Sequence, residues 1–139
     1  MATQVTITGR AGNDAVLKTT DAGIKFATFR LADTPRIRDA TARGGWRDGE
    51  TTWHNVVAWR TLAENVAASV RSGMPITVVG DLRTRTLPPL PGEATGLTIQ
   101  EVHASDVSVS MGTGVVTFQR MVRPREAVSG PAEGGGGIQ

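Results

Sequence analysis

Three tryptophans supply all the indole in this 139-residue chain, and there is no tyrosine. Two of them fall in one stretch, Thr52-Trp53-His54-Asn55-Val56-Val57-Ala58-Trp59. If the stretch is extended, side chains alternate between faces with a period of two. Trp53, Asn55, Val57 and Trp59 then share one face, while His54, Val56 and Ala58 share the other. The second face suits a core or an interface. The first carries two flat rings with an amide between them, which is a platform on which unpaired bases can stack. Both rings could instead fill a core, but the third, Trp46, lies just upstream in a polar run of arginines and glycines where a core anchor would be misplaced. Rings beside arginine also gain cation–π attraction. The candidate stacking residues are therefore Trp46, Trp53 and Trp59, with Asn55 between the last two.

Phosphate is the second chemistry within reach. Thirteen of the fifteen basic residues are arginine, whose planar fork suits phosphate. Arg36, Arg38, Arg43 and Arg47 lie in the polar connection over residues 34–51. Arg83 and Arg85 share a face of a later strand, about 7 Å apart, close to the pitch of successive phosphates. The net charge is only +2, so the chain is no polycation.

Several other chemistries are excluded or unsupported. Without cysteine there is no disulfide, thiol nucleophile or Cys-based zinc site. His54 and His103 are the only histidines, and the acids are scattered. No glycine-rich stretch has the P-loop or dinucleotide pattern. No catalytic residue, metal site or cofactor is expected. No apolar run approaches the roughly 18 residues of a membrane helix, and no signal-peptide pattern is visible. A cytoplasmic, nucleoid-associated protein without membrane contact is the expectation.

The elements that position these residues follow from alternation and punctuation. Residues 4–10 read as a half-buried strand, with a bend at Gly12-Asn13-Asp14 and a continuation over 15–20. Residues 24–33 form the next strand, with Phe26 and Phe29 on opposite faces, so at most one is core. A long polar connection, 34–51, precedes the Trp53 strand. Thr61-Leu62-Ala63-Glu64 fits a capping box opening a helix. Leu62, Val66 and Val70 form its apolar stripe, and Gly73 and Pro75 end it. Ile76–Arg85 is a strand, 86–96 a proline-rich loop, and 97–104 and 107–111 further strands. Val115–Phe118 could add a short last strand. Arg120, Arg123 and Arg125 begin a basic, then glycine-rich segment. The expected division is one domain over 1–112 and a flexible tail over 113–139. One helix between the third and fourth of five strands is the layout of an all-β OB-fold, a partly open Greek-key barrel.

Five pieces resemble the bacterial single-stranded DNA-binding protein family. They are Phe26-Ala27-Thr28-Phe29-Arg30-Leu31-Ala32, Trp46-Arg47-Asp48, Trp53-His54-Asn55-Val56-Val57-Ala58-Trp59, Leu62-Ala63-Glu64 and Gly80-Asp81-Leu82-Arg83-Thr84-Arg85. They come in family order and spacing over about residues 3–110. The resemblance implies an OB-fold, a homotetramer and sequence-independent binding of single-stranded DNA, serving replication, recombination or repair. It carries the stacking role to Trp46, Trp53 and Trp59, and the strand contacts to Arg83, Arg85 and Arg71. Thr86 and Leu87 stand where the family has a basic residue and an aromatic, so one stacking position is lost. Residues 127–139 hold one acid, Glu133, and no aromatic, unlike the acidic recruiting tip of typical members. The resemblance is therefore to an actinobacterial-type, tail-less paralogue that does not recruit repair enzymes through such a tip. The alternatives are an OB-fold protein-interaction module and an RNA-binding protein, neither catalytic.

Overall fold

The computed structural model describes residues 2–122, and the expectations for Arg123, Arg125 and residues 127–139 lie outside them. The strands of this part are β1 (Thr3–Ala11), β2 (Val16–Thr19), β3 (Lys25–Asp33), β4 (Arg36–Arg38), β5 (Trp46–Asp48), β6 (Thr52–Trp59), β7 (Pro75–Thr86) and β8 (Thr98–Val109). One α-helix, α1 (Arg60–Ser69), lies between β6 and β7.

Alternation turns into burial as a half-buried sheet requires. In β1, Ile7 and Ala11 are buried and the residues between them are mostly exposed. In β3, Ala27, Phe29 and Leu31 face inward, and Phe26 lies on the opposite, outer face. The sheet order is β1-β7-β8-β6-β3-β2, and β1 also pairs with β3, which closes the wall into a barrel. β1 runs antiparallel to β7 from Thr3–Leu82 to Arg10–Pro75 and then touches β3 through Arg10 and Ala11. After the bend, β2 continues along β3, so β1 and β2 act as one bent strand. β6 and β8 meet in parallel, Asn55–Val57 against Glu101–His103. Five strands in this sense, with the helix between the third and fourth, make the expected OB-fold.

The helix covers one end of the core. Ala63, Val66 and Val70 are buried, and Leu62 packs beside them, with Phe29, Leu31, Val56, Ile76, Val78 and Val102 inside the wall. The capping box does not form. The helix is preceded by Trp59, which makes no side-chain cap, and Glu64 instead accepts from Lys25 Nζ at 2.9 Å. Arg60 adopts φ +61°, a left-handed residue that swings the chain from strand into helix and leaves Thr61 out of the capping position.

Three other expectations change. The connection over 34–51 holds a hairpin, β4 against β5, reached past a hydroxyl contact between Thr34 and Thr51 of 2.6 Å. Its strands have three residues each, too short for alternation to mark them. Residues 98–109 form one strand, not two. The register steps from Val79–Asp106 to Gly80–Ala104, so Ser105 is a bulge, and its hydroxyl donates to the Val79 carbonyl at 3.0 Å. Val115–Phe118 is not a strand: it has no ladder partner among the described residues, and Val115 and Phe118 are almost fully exposed.

Candidate nucleic-acid interface

Register fixes which side chains share the outer face. Trp59 stands opposite Phe26, Val57 opposite Thr28, and Asn55 opposite Arg30. On the other flank of β6, Asn55 meets Glu101 and Val57 meets His103. β8 in turn sets His103 against Asp81 and Glu101 against Arg83. Aromatic, amide and charged residues from β3, β6, β8 and β7 therefore lie in transverse rows across one surface.

Trp53 and Trp59, both half-exposed, stand at either end of the β6 part of this surface. The Arg30 guanidinium lies over the Trp53 ring, 4.3 Å from its centroid. Trp53 also lies against the β1–β2 bend. A Cβ added at Gly12 would come within 2.5 Å of the Trp53 ring, so glycine is what lets the ring lie there. Trp59 packs on Phe26, centroids 5.3 Å apart and planes tilted by 35°. Its Nε1–H donates to His103 Nδ1 at 3.1 Å.

Beside Trp59 the surface is concave. A pocket of about 600 Å³ is lined by Lys18, Phe26, Thr28, Val57, Trp59, Arg83, Arg85, Glu101 and His103, among others. Glu101 is buried although it is charged. Its carboxylate accepts from Arg85 Nη2 at 2.9 Å and contacts His103 Nε2 at 3.2 Å. The Arg85 hydrogen bond, and behind it the His103 bond, hold the carboxyl below its ordinary value despite burial. The same contact raises Arg85.

The remaining expected residues divide by element. Trp46 is on β5, opposite Arg38, whose guanidinium lies 5.4 Å from the ring centroid. Arg36 pairs with Asp48 at 3.6 Å and Arg47 with Asp39 at 3.2 Å. Asp39 is itself held low by hydrogen bonds from the Thr41 hydroxyl and amide. Arg43 is exposed in the turn between the two strands. These residues belong to the hairpin and not to the barrel face. Arg71 belongs to neither group. Its guanidinium donates to the carbonyls of Ala67 and Val70, both at 2.9 Å, closing the C-terminal end of α1. Asn55 stitches β6 to β8 through a bond to the Gln100 carbonyl at 3.4 Å. His54 points to the other side of β6, half-buried, with Asp33 at 3.9 Å.

Phe26, Arg30, Glu101 and His103 are part of the surface although sequence reasoning did not select them. Phe26 carried a signal, since alternation puts it opposite the core residue Phe29. The others depend on register between strands distant in sequence.

The Single-strand binding protein family matches residues 2–109. The single-stranded DNA-binding protein of Corynebacterium glutamicum is 37% identical over 121 residues, 87% of this chain and 52% of the relative. That of Mycobacterium tuberculosis is 37% identical over 109 residues, 78% of this chain and 65% of the relative. The chain thus spans between about half and two thirds of the length of these curated relatives. The small single-stranded DNA-binding protein of Streptomyces coelicolor superposes with a TM-score of 0.67 at 29% identity, over 81% of this chain and 98% of that one. A Plasmodium falciparum SSB, solved in complex with ssDNA, superposes with a TM-score of 0.64 at 25% identity, over 79% of this chain and 96% of that one.

Proposed function

This chain belongs to the single-strand binding protein family, and on that premise we propose that it binds single-stranded DNA without sequence preference, as a binding protein and not an enzyme. The observation that supports this best is the half-exposed pair Trp53 and Trp59 on one face of β6, each backed by another side chain that presents its ring outward. Every base has a π-face, so stacking on such rings tolerates any sequence. Arg83, and with it the hairpin arginines, supplies phosphate contacts, and Trp46 offers a further ring. Arg85 and Arg71 contribute less, because both are engaged within the protein.

The functional unit is a homotetramer associated with the nucleoid. The Thr3–Gly9 part of β1 pairs with β7 on one side only among the described residues, and an open edge invites a second copy. Among the described residues no helix is long and apolar enough to cross a membrane. Residues 127–139, with Glu133 as their one acid, do not act as an acidic recruiting tip. The protein serves replication, recombination or repair by covering exposed strands.

A titration of oligo(dT) followed by tryptophan emission tests the reading. Quenching is expected, with binding that weakens as salt is added because counterions are released. Unchanged emission, salt-independent binding or a preference for duplex would refute it. Equal affinity for oligo(rU) would favour the RNA-binding alternative.

A further inference from the structure

Trp59 is held by its edge as well as by its face. The hold runs through three side chains from two strands. Arg85 on β7 donates to Glu101, His103 Nε2 faces Glu101 Oε1 at 3.2 Å, and Trp59 donates to His103 Nδ1 at 3.1 Å. An ionised carboxylate only accepts. With Glu101 held in its charged form by Arg85, the imidazole nitrogen facing it carries the proton. In a neutral ring the other nitrogen is then a bare acceptor, which is what the Trp59 Nε1–H requires. Each bond fixes the direction of the next.

We propose that His103, oriented by Glu101, is a positioning residue for Trp59. It fixes the indole for stacking while neutral and releases the indole Nε1–H when it takes up a proton. The protonated ring keeps its bond to Glu101 and loses its only acceptor, so the change falls on Trp59 alone. This rests on the reading of Trp59 as a stacking residue. The charged groups around His103 are Glu101 on its own strand, Asp81, Arg83 and Arg85 on β7, and Lys18 across the pocket. β6 and β3 bring to the pocket only Val57, Trp59, Phe26 and Thr28, none of which titrates in this range.

A ring already held in its binding pose loses less freedom on stacking. Removing the hold should therefore weaken strand binding by the factor of one net hydrogen bond, about threefold to tenfold. The test has two arms on the full chain. In the free protein labelled with ¹⁵N, the Trp59 indole resonance, assigned with Trp59→Phe, is followed from about pH 8 to pH 5, the range in which imidazole changes charge. It should shift in the wild type and stay fixed in His103→Gln, whose amide offers donor and acceptor together without titrating. A shift that persists in His103→Gln would come from another group and overturn the proposal, as would no shift in the wild type. In the second arm, oligo(dT) affinity is measured at about pH 8, the upper end of that range. His103→Leu should bind about threefold to tenfold more weakly, and His103→Gln should restore binding to within about twofold. Equal loss in both variants, each with a wild-type melting temperature, would overturn it too. If the wild type does not bind oligo(dT), the proposed function fails, while the indole titration still decides whether His103 holds Trp59.

Discussion

Trp59 and Trp46 are similarly exposed, at 36% and 44%, yet they are built in different ways. Trp59 stands on the barrel wall, on a strand paired on both sides. Phe26 supports its face from β3, and His103 holds its edge from β8. Trp46 stands on a two-stranded ribbon, with one guanidinium beside it and ion pairs that are open to solvent. Exposed ion pairs of that kind contribute little, and an isolated two-stranded ribbon is marginal in water. The same residue types can thus make a preorganised contact or an adaptable one. On the proposed function, the barrel would set where a base stacks, and the hairpin would follow a strand that takes different paths.

The largest effect expected from this contrast is on affinity. Trp59→Ala and Trp53→Ala should each weaken oligo(dT) binding by about 1–3 kcal/mol. Trp46→Ala should cost less than about 1 kcal/mol, nearer the value of an exposed cation–π contact. Calorimetric titration of the three variants decides it, and an equal or larger loss for Trp46→Ala would erase the distinction between wall and ribbon.

A second effect concerns acid. Glu101 is held below 4.5, the ordinary value for this carboxyl, first by the Arg85 hydrogen bond and then by His103. A lowered carboxyl stabilises the folded state fully above its unfolded value, and that stability is lost as pH falls through the lower folded value. Glu101→Gln should therefore cost about 1–2 kcal/mol near neutrality, discounted for the exposure of Arg85. The gap between wild type and variant should narrow as pH falls below the ordinary carboxylate range, through the lowered folded value. Thermal melts across this range test it, and a gap that does not narrow on acidification would show that the ion pair is not its source. Asp39, on the exposed hairpin, should leave no comparable signature when changed to Asn.

Backbone strain offers a smaller contrast. The hairpin places Gly44 and Gly45 at its positive φ angles, whereas the barrel places Arg60 at φ +61° directly after Trp59. A non-glycine residue there costs about 1 kcal/mol. Arg60→Gly should raise stability by up to about that amount in denaturant melts, offset in part by the greater freedom of glycine when unfolded. Destabilisation instead would mean that the Arg60 side chain makes a contact worth more than the strain.

The finest contrast lies within one strand. Arg83 makes no ion pair among the described residues, whereas Arg85 is tied to Glu101. Arg83→Ala should lower the slope of log affinity against log salt by about 0.7, the value of one phosphate contact on a single strand. Arg85→Ala should lower it by less. Equal changes would mean that Glu101 lets go of Arg85 when a strand binds.

The fold was legible because its signals are local. Alternation in β1, β3 and β7 marks which residues go inward, and the Leu62–Val66–Val70 stripe marks the helix. The pair Trp53 and Trp59 was legible for the same reason, since two residues on one strand share a face whatever the strand pairs with. The rest of the site needed register. Nothing near Glu101 or His103 in sequence says that they will meet Arg85 and Trp59, because that depends on which residues of β6 and β7 lie opposite β8. The capping box misled because Arg60 turns Thr61 out of the capping position and Glu64 pairs with Lys25 of β3, and the hairpin was missed because three-residue strands show too little alternation.

The parallel contact between β6 and β8 also sets an order of events. It joins Asn55–Val57 to Glu101–His103, and the bond from Trp59 to His103 spans 44 residues. Hairpins such as β7–β8 close short loops and can form quickly, while contacts distant in sequence wait on a larger loss of chain entropy. The support under Trp59 therefore comes with the slow closure of the wall. During synthesis Trp59 leaves the ribosome before β8 does. A nascent chain thus displays the ring first and gains the means to steady it only after His103 has emerged.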